Sequence, residues 1–180
     1  MNHKKTSKFL SLILRHRPEV IGIQLDENGW ANVDELIEKV KQKGHPINRE
    51  ILDEVVATNN KKRFAFNDDG SKIRASQGHS IPVNLEMKPQ KPPRPLYHGT
   101  ASRFANSIRK QGLKSQSRNH VHLSVDRATA IDVGSRHGVP LILIIDTESM
   151  ERDGIPFYLS ANGVWLTEFV APKYISFPQN

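Results

Sequence analysis

The residues whose side chains could do chemistry are arginines and histidines in or at the ends of predicted helices and strands. Arg15 and His16 follow each other where the first predicted helix ends, Arg74 lies in a predicted strand, and Arg136 lies at the end of a later helix. Each alone is typical of a solvated surface residue. A guanidinium group offers a planar fork of donors that matches a phosphate, so together the four predict a pocket for a phosphate dianion.

Other kinds of site are excluded or weakly indicated by the sequence. The chain has no cysteine, which excludes disulfides, thiolate zinc sites and a cysteine nucleophile. Glycine-rich dinucleotide and phosphate loops and the His-Glu-x-x-His motif are absent. His120 and His122 point to one face of a predicted strand, but no acidic or cysteine partner accompanies them. We therefore expect no bound metal.

Composition favours a globular protein of the cytoplasm with an anionic partner. The 180 residues carry a formal net charge of +7, spread along the chain without a basic tail. Such a distribution suits the binding of a few phosphates better than the wrapping of a duplex. The apolar stretch 9–14 is too short for a membrane span, and it runs directly into Arg15-His16-Arg17, which argues against a signal peptide.

A proline-rich segment divides the chain. Residues 81–95 predict an extended linker between a lobe of residues 1–80 and a lobe of residues 96–180, because proline fixes φ and lacks a backbone donor. In the first lobe, periodicity predicts a helix that ends near His16, helices over 33–43 and 48–58, and strands over 63–66 and 72–75. Three helices followed by a hairpin is the order of a winged helix.

The second lobe alternates short strands with short helices. Helices are predicted over 102–111 and 126–136, and strands over 95–98, 121–123, 156–160, 163–169 and 173–177. The continuous apolar run 141–145 predicts a central strand that is buried on both faces. The fold class expected for the whole chain is α+β.

Six short motifs in order carry a resemblance to a known family. They are Ser7–Pro18, Gly29-Trp30, Ile73–Ser80, Leu96–Thr100, His120–Ser124 and Asn162–Thr167. The chain resembles the bacterial RNA 2′-phosphotransferases of the KptA type, relatives of the eukaryotic tRNA-splicing 2′-phosphotransferase. The resemblance extends over essentially the whole chain.

The resemblance implies a winged-helix-like lobe packed on an ADP-ribosyltransferase-like lobe, with RNA and NAD meeting in the cleft. It implies NAD as co-substrate, no metal, and a tRNA-like RNA with an internal 2′-phosphate as partner. We expect a monomer. The catalytic residues implied are Arg15, His16, Arg74 and Arg136. The NAD-binding residues implied are His98, Gly99, Thr100, His122, Leu123, Ser124, Asn162, Gly163 and Val164.

Two alternatives remain open from the sequence. An ADP-ribosyltransferase acting on another phosphorylated or protein acceptor would explain residues 96–180 but leave Arg15, His16 and Arg74 without a role. A winged-helix nucleic-acid binder without enzymatic activity would leave the second lobe unexplained. Val164 takes the position at which many protein-modifying relatives carry a glutamate, while Glu168 is out of register with it.

Overall fold

The computed structural model describes residues 3–178. Short helices and small antiparallel sheets make up a mixed α/β chain, which agrees with the expected α+β class. The chain divides into two compact units, Met1–Glu86 and Met87–Asn180. Each is described by itself below.

Within residues 3–86, the first unit contains three helices and a small sheet. The helices are α1 (His3–Arg15), α2 (Val33–Gln42) and α3 (Arg49–Thr58), with a 3₁₀ helix at Pro18–Val20. The strands are β1 (Ala31–Asn32), β2 (Phe64–Phe66) and β3 (Lys72–Ala75), in the sheet order β1-β3-β2. The helices and the hairpin lie close to their predicted positions, whereas β1, which has only two residues, was not predicted.

Local chemistry accounts for these boundaries. Leu10, Ile13 and Leu14 are fully buried on one face of α1, and Pro18 disfavours helical geometry in the residue before it. Asn32 and Asn48 cap α2 and α3, because their side-chain oxygens accept hydrogen bonds from backbone N–H groups three residues on.

The second unit contains three small sheets and three helices. Its helices are α4 (Ala105–Gln111), α5 (Arg127–Ser135) and α6 (Thr147–Arg152), with 3₁₀ helices at Ser102–Phe104 and Pro172–Tyr174. Its strands are β4 (Leu96–Ala101), β5 (Leu113–Lys114), β6 (Val121–Leu123), β7 (Pro140–Ile145), β8 (Tyr158–Leu159), β9 (Trp165–Thr167), β10 (Phe169–Val170) and β11 (Ile175–Ser176). The sheet orders are β11-β7-β4, β6-β9-β8 and β10-β5.

The run 140–145 forms the central strand of its sheet, as predicted, with Leu143 and Ile145 fully buried. Leu141 and Ile144 are only partly buried, so burial on both faces is incomplete. The predicted strand 163–169 is divided, because β9 pairs with β6 and β8 while β10 pairs with β5. The strand predicted over 173–177 is β11, which begins only at Ile175 because a 3₁₀ helix occupies Pro172–Tyr174.

The segment 81–95 is bonded to the body of the protein at several points. Asn84 donates its backbone N–H to the carbonyl of Glu27 at 2.9 Å, and its carbonyl accepts a bond from the Asn28 amide at 2.8 Å. Further on, the backbone N–H of Gln90 bonds the Phe157 carbonyl at 2.8 Å. The first part of this segment is therefore attached to the first unit and the second part to the second unit.

Candidate functional site

The C-terminal end of α1 is joined to the segment that follows β3. Arg15 is the last residue of α1, and its backbone carbonyl accepts a hydrogen bond from the Ser80 N–H at 2.9 Å. His16 Nδ1 lies 2.9 Å from the Ser80 hydroxyl. Gly78 adopts a φ of +88°, a left-handed conformation that favours glycine and turns the chain back toward α1. The Gln77–Ser80 segment therefore brings β3 and the end of α1 together.

Arg74, on β3, is held by two contacts from a loop far away in sequence. Its Nη1 donates to the Asn28 carbonyl at 3.3 Å, and its guanidinium carbon lies 4.3 Å from the centre of the Trp30 ring. Stacking of this kind orients the planar group and is favourable electrostatically. Among residues 3–178, Arg74 has no carboxylate within 4.0 Å. Neutral groups thus orient the guanidinium group of Arg74, and its positive charge remains available to an anion.

Asp26 in turn holds the loop that carries Trp30. One carboxylate oxygen accepts the backbone N–H groups of Asn28 and Trp30, at 3.0 and 2.9 Å, and the other lies 3.2 Å from the ammonium of Lys72. This network gives Trp30 and the Asn28 carbonyl a defined position beneath Arg74.

His79 is a buried histidine that feels the charges of Arg15, His16 and Arg74. It is only 2% exposed, and burial together with the charges of Arg15, His16 and Arg74 lowers its pKa to about 4. The imidazole is therefore neutral at pH 7. Arg15 and His16 both contact Ser80, next to His79, and Arg74 acts on the same His79 ring through its charge. We call Arg15, His16 and Arg74 the cationic cluster.

The buried neutral imidazole makes a pH-dependent contribution to stability. A folded-state pKa near 4, against ~6.5 in the unfolded chain, means that the unfolded chain binds the proton more readily between these values. The free energy of unfolding should therefore fall as the pH is lowered from about 6.5 to about 4, by up to about 3 kcal/mol from this residue. Urea midpoints across this range for the wild type and His79→Gln should show a shallower slope in the variant.

His137→Gln provides the control, because this histidine of the second unit is exposed. Its slope should match that of the wild type. Equal slopes for the wild type and His79→Gln would contradict the assignment of a neutral buried imidazole.

In the second unit, His98 and His122 meet through a backbone bridge between β4 and β6. Tyr97 and Ser124 exchange two backbone hydrogen bonds of 2.8 Å, which bring the neighbouring residues side by side. His98 Nδ1 lies 2.9 Å from the His122 carbonyl oxygen. Because a carbonyl oxygen can only accept, Nδ1 carries the proton, and Nε2 of a neutral His98 has a lone pair.

The ionisation of His98 agrees with this tautomer. Burial lowers its pKa, the hydrogen bond to His122 raises it, and the charge of Arg118 lowers it again, with a net lowering. His98 is therefore neutral at pH 7 and can accept a hydrogen bond from a hydroxyl group at Nε2. Arg118, which the sequence did not single out, donates from Nη1 to His122 Nδ1 at 3.0 Å.

Three of the predicted NAD-binding residues also have structural roles. A Cβ at Gly99 would lie 1.8 Å from the Ala130 carbonyl oxygen, so the close packing of α5 on β4 already requires glycine there. Leu123 is 1% exposed and lies in the core, and Thr100 is 8% exposed.

Asn162, Gly163 and Val164 lie in the turn between β8 and β9. The Gly163 N–H bonds the Ser160 carbonyl at 2.9 Å, and Gly163 has a φ of +81°, the left-handed position of a three-residue hairpin loop. The hydroxyl of Ser160, which is 3% exposed, donates to Asn162 Oδ1 at 2.7 Å and accepts the Val164 N–H at 2.9 Å. Ser160, missed in the sequence, thus holds this turn.

Arg136 lies in the second unit, where it is the C-cap residue of α5 and is exposed. It forms no ion pair with a carboxylate within residues 3–178. A cation at a helix C-terminus is favoured by the helix dipole. Of the four predicted catalytic residues, Arg15, His16 and Arg74 are thus grouped in the first unit and Arg136 belongs to the second.

His120 contacts Tyr158 edge to face, with ring centres 5.8 Å apart. Across residues 3–178, no three His, Asp or Glu side chains are grouped in a way that could hold a metal ion. None of the helices in the described part of the chain is long and apolar enough to cross a membrane.

Comparison with known proteins shows which family the chain is similar to. A profile described as "RNA 2′-phosphotransferase, Tpt1 / KptA family" matches residues 1–169. A protein of Flavobacterium johnsoniae named "Probable RNA 2′-phosphotransferase" is 60% identical over 174 residues, which cover 97% of this chain and 96% of that protein.

Two further bacterial proteins with the same name are similar to the chain along almost their whole length. The Fusobacterium nucleatum protein is 56% identical over 177 residues, covering 98% of this chain and 99% of its own. The Rhodopirellula baltica protein is 55% identical over 174 residues, covering 96% and 95%. With a profile match over nearly all its residues and relatives of this identity, the chain belongs to the RNA 2′-phosphotransferase family.

Proposed function

We propose that this protein removes an internal 2′-phosphate from RNA by transferring it to NAD, and that it releases 2′-hydroxyl RNA, nicotinamide and ADP-ribose 1″,2″-cyclic phosphate. The observation that carries the proposal is the cationic cluster of Arg15, His16 and Arg74 in a member of this family. A tRNA-like RNA is the partner that this activity requires.

The cationic cluster has the properties that a phosphate site needs. Arg74 is oriented by Trp30 and Asn28 rather than neutralised by a carboxylate. The neutral His79 adds no further charge that would have to be compensated. Two buried atoms of the adjoining segment, Gln77 Oε1 and His79 Nε2, have no hydrogen-bond partner among residues 3–178.

The second unit offers groups that fit a dinucleotide. The lone pair of His98 Nε2 can accept a hydrogen bond from a ribose hydroxyl, and its ring is fixed by the His122 carbonyl. Val164, next to the turn between β8 and β9, is the apolar residue that the resemblance aligns with the glutamate of protein-modifying relatives. These features support an ADP-ribosyltransferase-like role for this unit. The order of three helices and a hairpin supports a winged-helix-like role for the first.

The proposed reaction has two steps. In the first, an oxygen of the RNA 2′-phosphate attacks C1″ of the nicotinamide ribose, and the bond to nicotinamide breaks with its electron pair leaving on nicotinamide. This nucleophile is already an anion, so no general base is required. Arg15 and Arg74 orient it, which lowers the entropic part of the barrier.

In the second step the 2″-hydroxyl of the same ribose attacks phosphorus, and the bond from phosphorus to the RNA 2′-oxygen breaks. The proton lost by the attacking hydroxyl balances the one gained by the RNA 2′-oxygen. Charge spreads over the phosphoryl oxygens in this step, where guanidinium groups stabilise it most, and we assign this role to Arg15, Arg74 and Arg136. We assign to His16, whose Nδ1 lies 2.9 Å from the Ser80 hydroxyl, either a hydrogen bond to the phosphate or the transfer of this proton.

The proposal is tested by incubating the protein with an internally 2′-phosphorylated RNA, with and without NAD. We expect 2′-hydroxyl RNA only when NAD is present, with one nicotinamide released for each phosphate lost. Phosphate loss without NAD would refute the proposal. Transfer of ADP-ribose to a protein acceptor, with the RNA phosphate unchanged, would favour the alternative left open by the sequence.

A further inference from the structure

Arg118 is an arginine of the second unit to which the sequence motifs assign no role. It lies in the turn between β5 and β6, where its backbone N–H bonds the Ser115 carbonyl at 3.1 Å. Its guanidinium Nη1 donates to His122 Nδ1 at 3.0 Å. Because Arg118 can only donate, Nδ1 of His122 provides the lone pair and a neutral His122 carries its proton on Nε2.

The surroundings of Arg118 are positive or neutral. Burial of its charged group and the nearby charge of Arg136 both lower its pKa, and its own charge acts on His98. Within residues 3–178 no carboxylate lies within 4.0 Å of it. Arg118 is exposed, so an anionic ligand can reach its guanidinium group.

The groups proposed to bind NAD include no cation. The set around His98, His122 and the Asn162–Val164 turn consists of histidines, an amide, hydroxyls and backbone, whereas NAD carries two negative charges on its diphosphate. Arg118 contacts His122, whose carbonyl in turn orients His98. One Nη1 donor is used by His122, and the other guanidinium N–H groups remain for phosphate oxygens.

We propose that Arg118 binds the diphosphate of the dinucleotide, an assignment that rests on the proposed function. Its bond to His122 sets the guanidinium plane beside the ring that would bind the ribose. The diphosphate is favoured over the RNA phosphate as the ligand, because Arg118 contacts His122 and its charge acts on His98, and both belong to the proposed dinucleotide residues.

Calorimetric titration of ADP-ribose, NAD, adenosine and a 2′-phosphorylated RNA into the wild type, Arg118→Ala, Arg118→Lys and Arg109→Ala tests the assignment. Arg118→Ala should weaken ADP-ribose binding about 10- to 100-fold, the range for loss of hydrogen bonds to a charged group, and leave adenosine binding unchanged. Arg118→Lys keeps the charge without the fork, so we expect a smaller loss. Arg109, whose guanidinium lies 3.8 Å from the centre of the Phe177 ring, is the charge-matched control and should bind like the wild type.

The outcomes separate this assignment from the proposed function. Wild-type affinity of Arg118→Ala for ADP-ribose would overturn the assignment. So would an equal loss for adenosine, or a loss confined to 2′-phosphorylated RNA, which would place Arg118 at the RNA phosphate. If the wild type bound neither ADP-ribose nor NAD, the proposed function would fail and the assignment with it. Thermal melts show whether Arg118→Ala has a folding defect. If it has, the affinity of Arg118→Lys for ADP-ribose decides whether the assignment stands.

Discussion

Replacing Arg74 by alanine is expected to lower the turnover number by about 10²- to 10³-fold, the scale for losing one preorganised donor to a developing charge. The same is expected for Arg15→Ala and Arg136→Ala. The loss should fall on single-turnover rates of phosphate removal more than on RNA affinity, because the guanidinium groups act most strongly where charge spreads in the second step.

Controls for this series come from the first unit itself. Arg49 is paired with Asp53 at 2.8 Å and lies over Phe66, so Arg49→Ala removes the same charge away from the cationic cluster and should retain wild-type turnover. Arg74→Lys should recover only part of the rate, since an ammonium lacks the planar fork and its stacking on Trp30. Near-wild-type rates for all three alanine variants would remove the catalytic assignment.

An NAD analogue without the 2″-hydroxyl of the nicotinamide ribose is expected to stop the reaction after its first step. Attack by the RNA phosphate uses C1″ alone, so nicotinamide should still be released. The nucleophile of the second step is then missing, and ADP-ribose should remain attached to the RNA through the 2′-phosphate. Gel mobility of the RNA and chromatography of nicotinamide follow the two events separately.

The matched control is an analogue that lacks the corresponding hydroxyl on the adenosine ribose. It should complete the reaction, with weaker binding where His98 loses a hydroxyl partner. Release of free 2′-hydroxyl RNA from the first analogue at the normal rate would show that the ribose hydroxyl is not the second nucleophile.

The helices of the first unit could be predicted from sequence because their signals are local. In α2 and α3, apolar residues recur on one face, and Asn32 and Asn48 supply caps. The missed elements carry too little local signal: α6 has six residues, and β1 and β5 have two each. The predicted strand 163–169 is divided by its pairing partners, which are distant in sequence.

In the candidate site, too, the contacts that could not be predicted join residues that are distant in sequence. The motifs included both Arg74 and Trp30, but the contact between them was not predicted, because periodicity carries no information on contacts between residues more than forty positions apart. The bond of Arg74 to the Asn28 carbonyl was missed for the same reason. His79 lies among glycine and serine and has the sequence character of a loop residue, yet it is 2% exposed. Arg118 has no apolar pattern around it, and only the contact with His122 distinguishes it from a surface arginine.

The most direct test of the account follows the phosphorus atom. An RNA labelled with ³²P only in its internal 2′-phosphate is incubated with the protein and NAD, and the products are separated by chromatography. The account predicts that all the label leaves the RNA as ADP-ribose 1″,2″-cyclic phosphate, in equal amount to nicotinamide and with no inorganic phosphate. Label appearing as inorganic phosphate, at a rate independent of NAD, would contradict it.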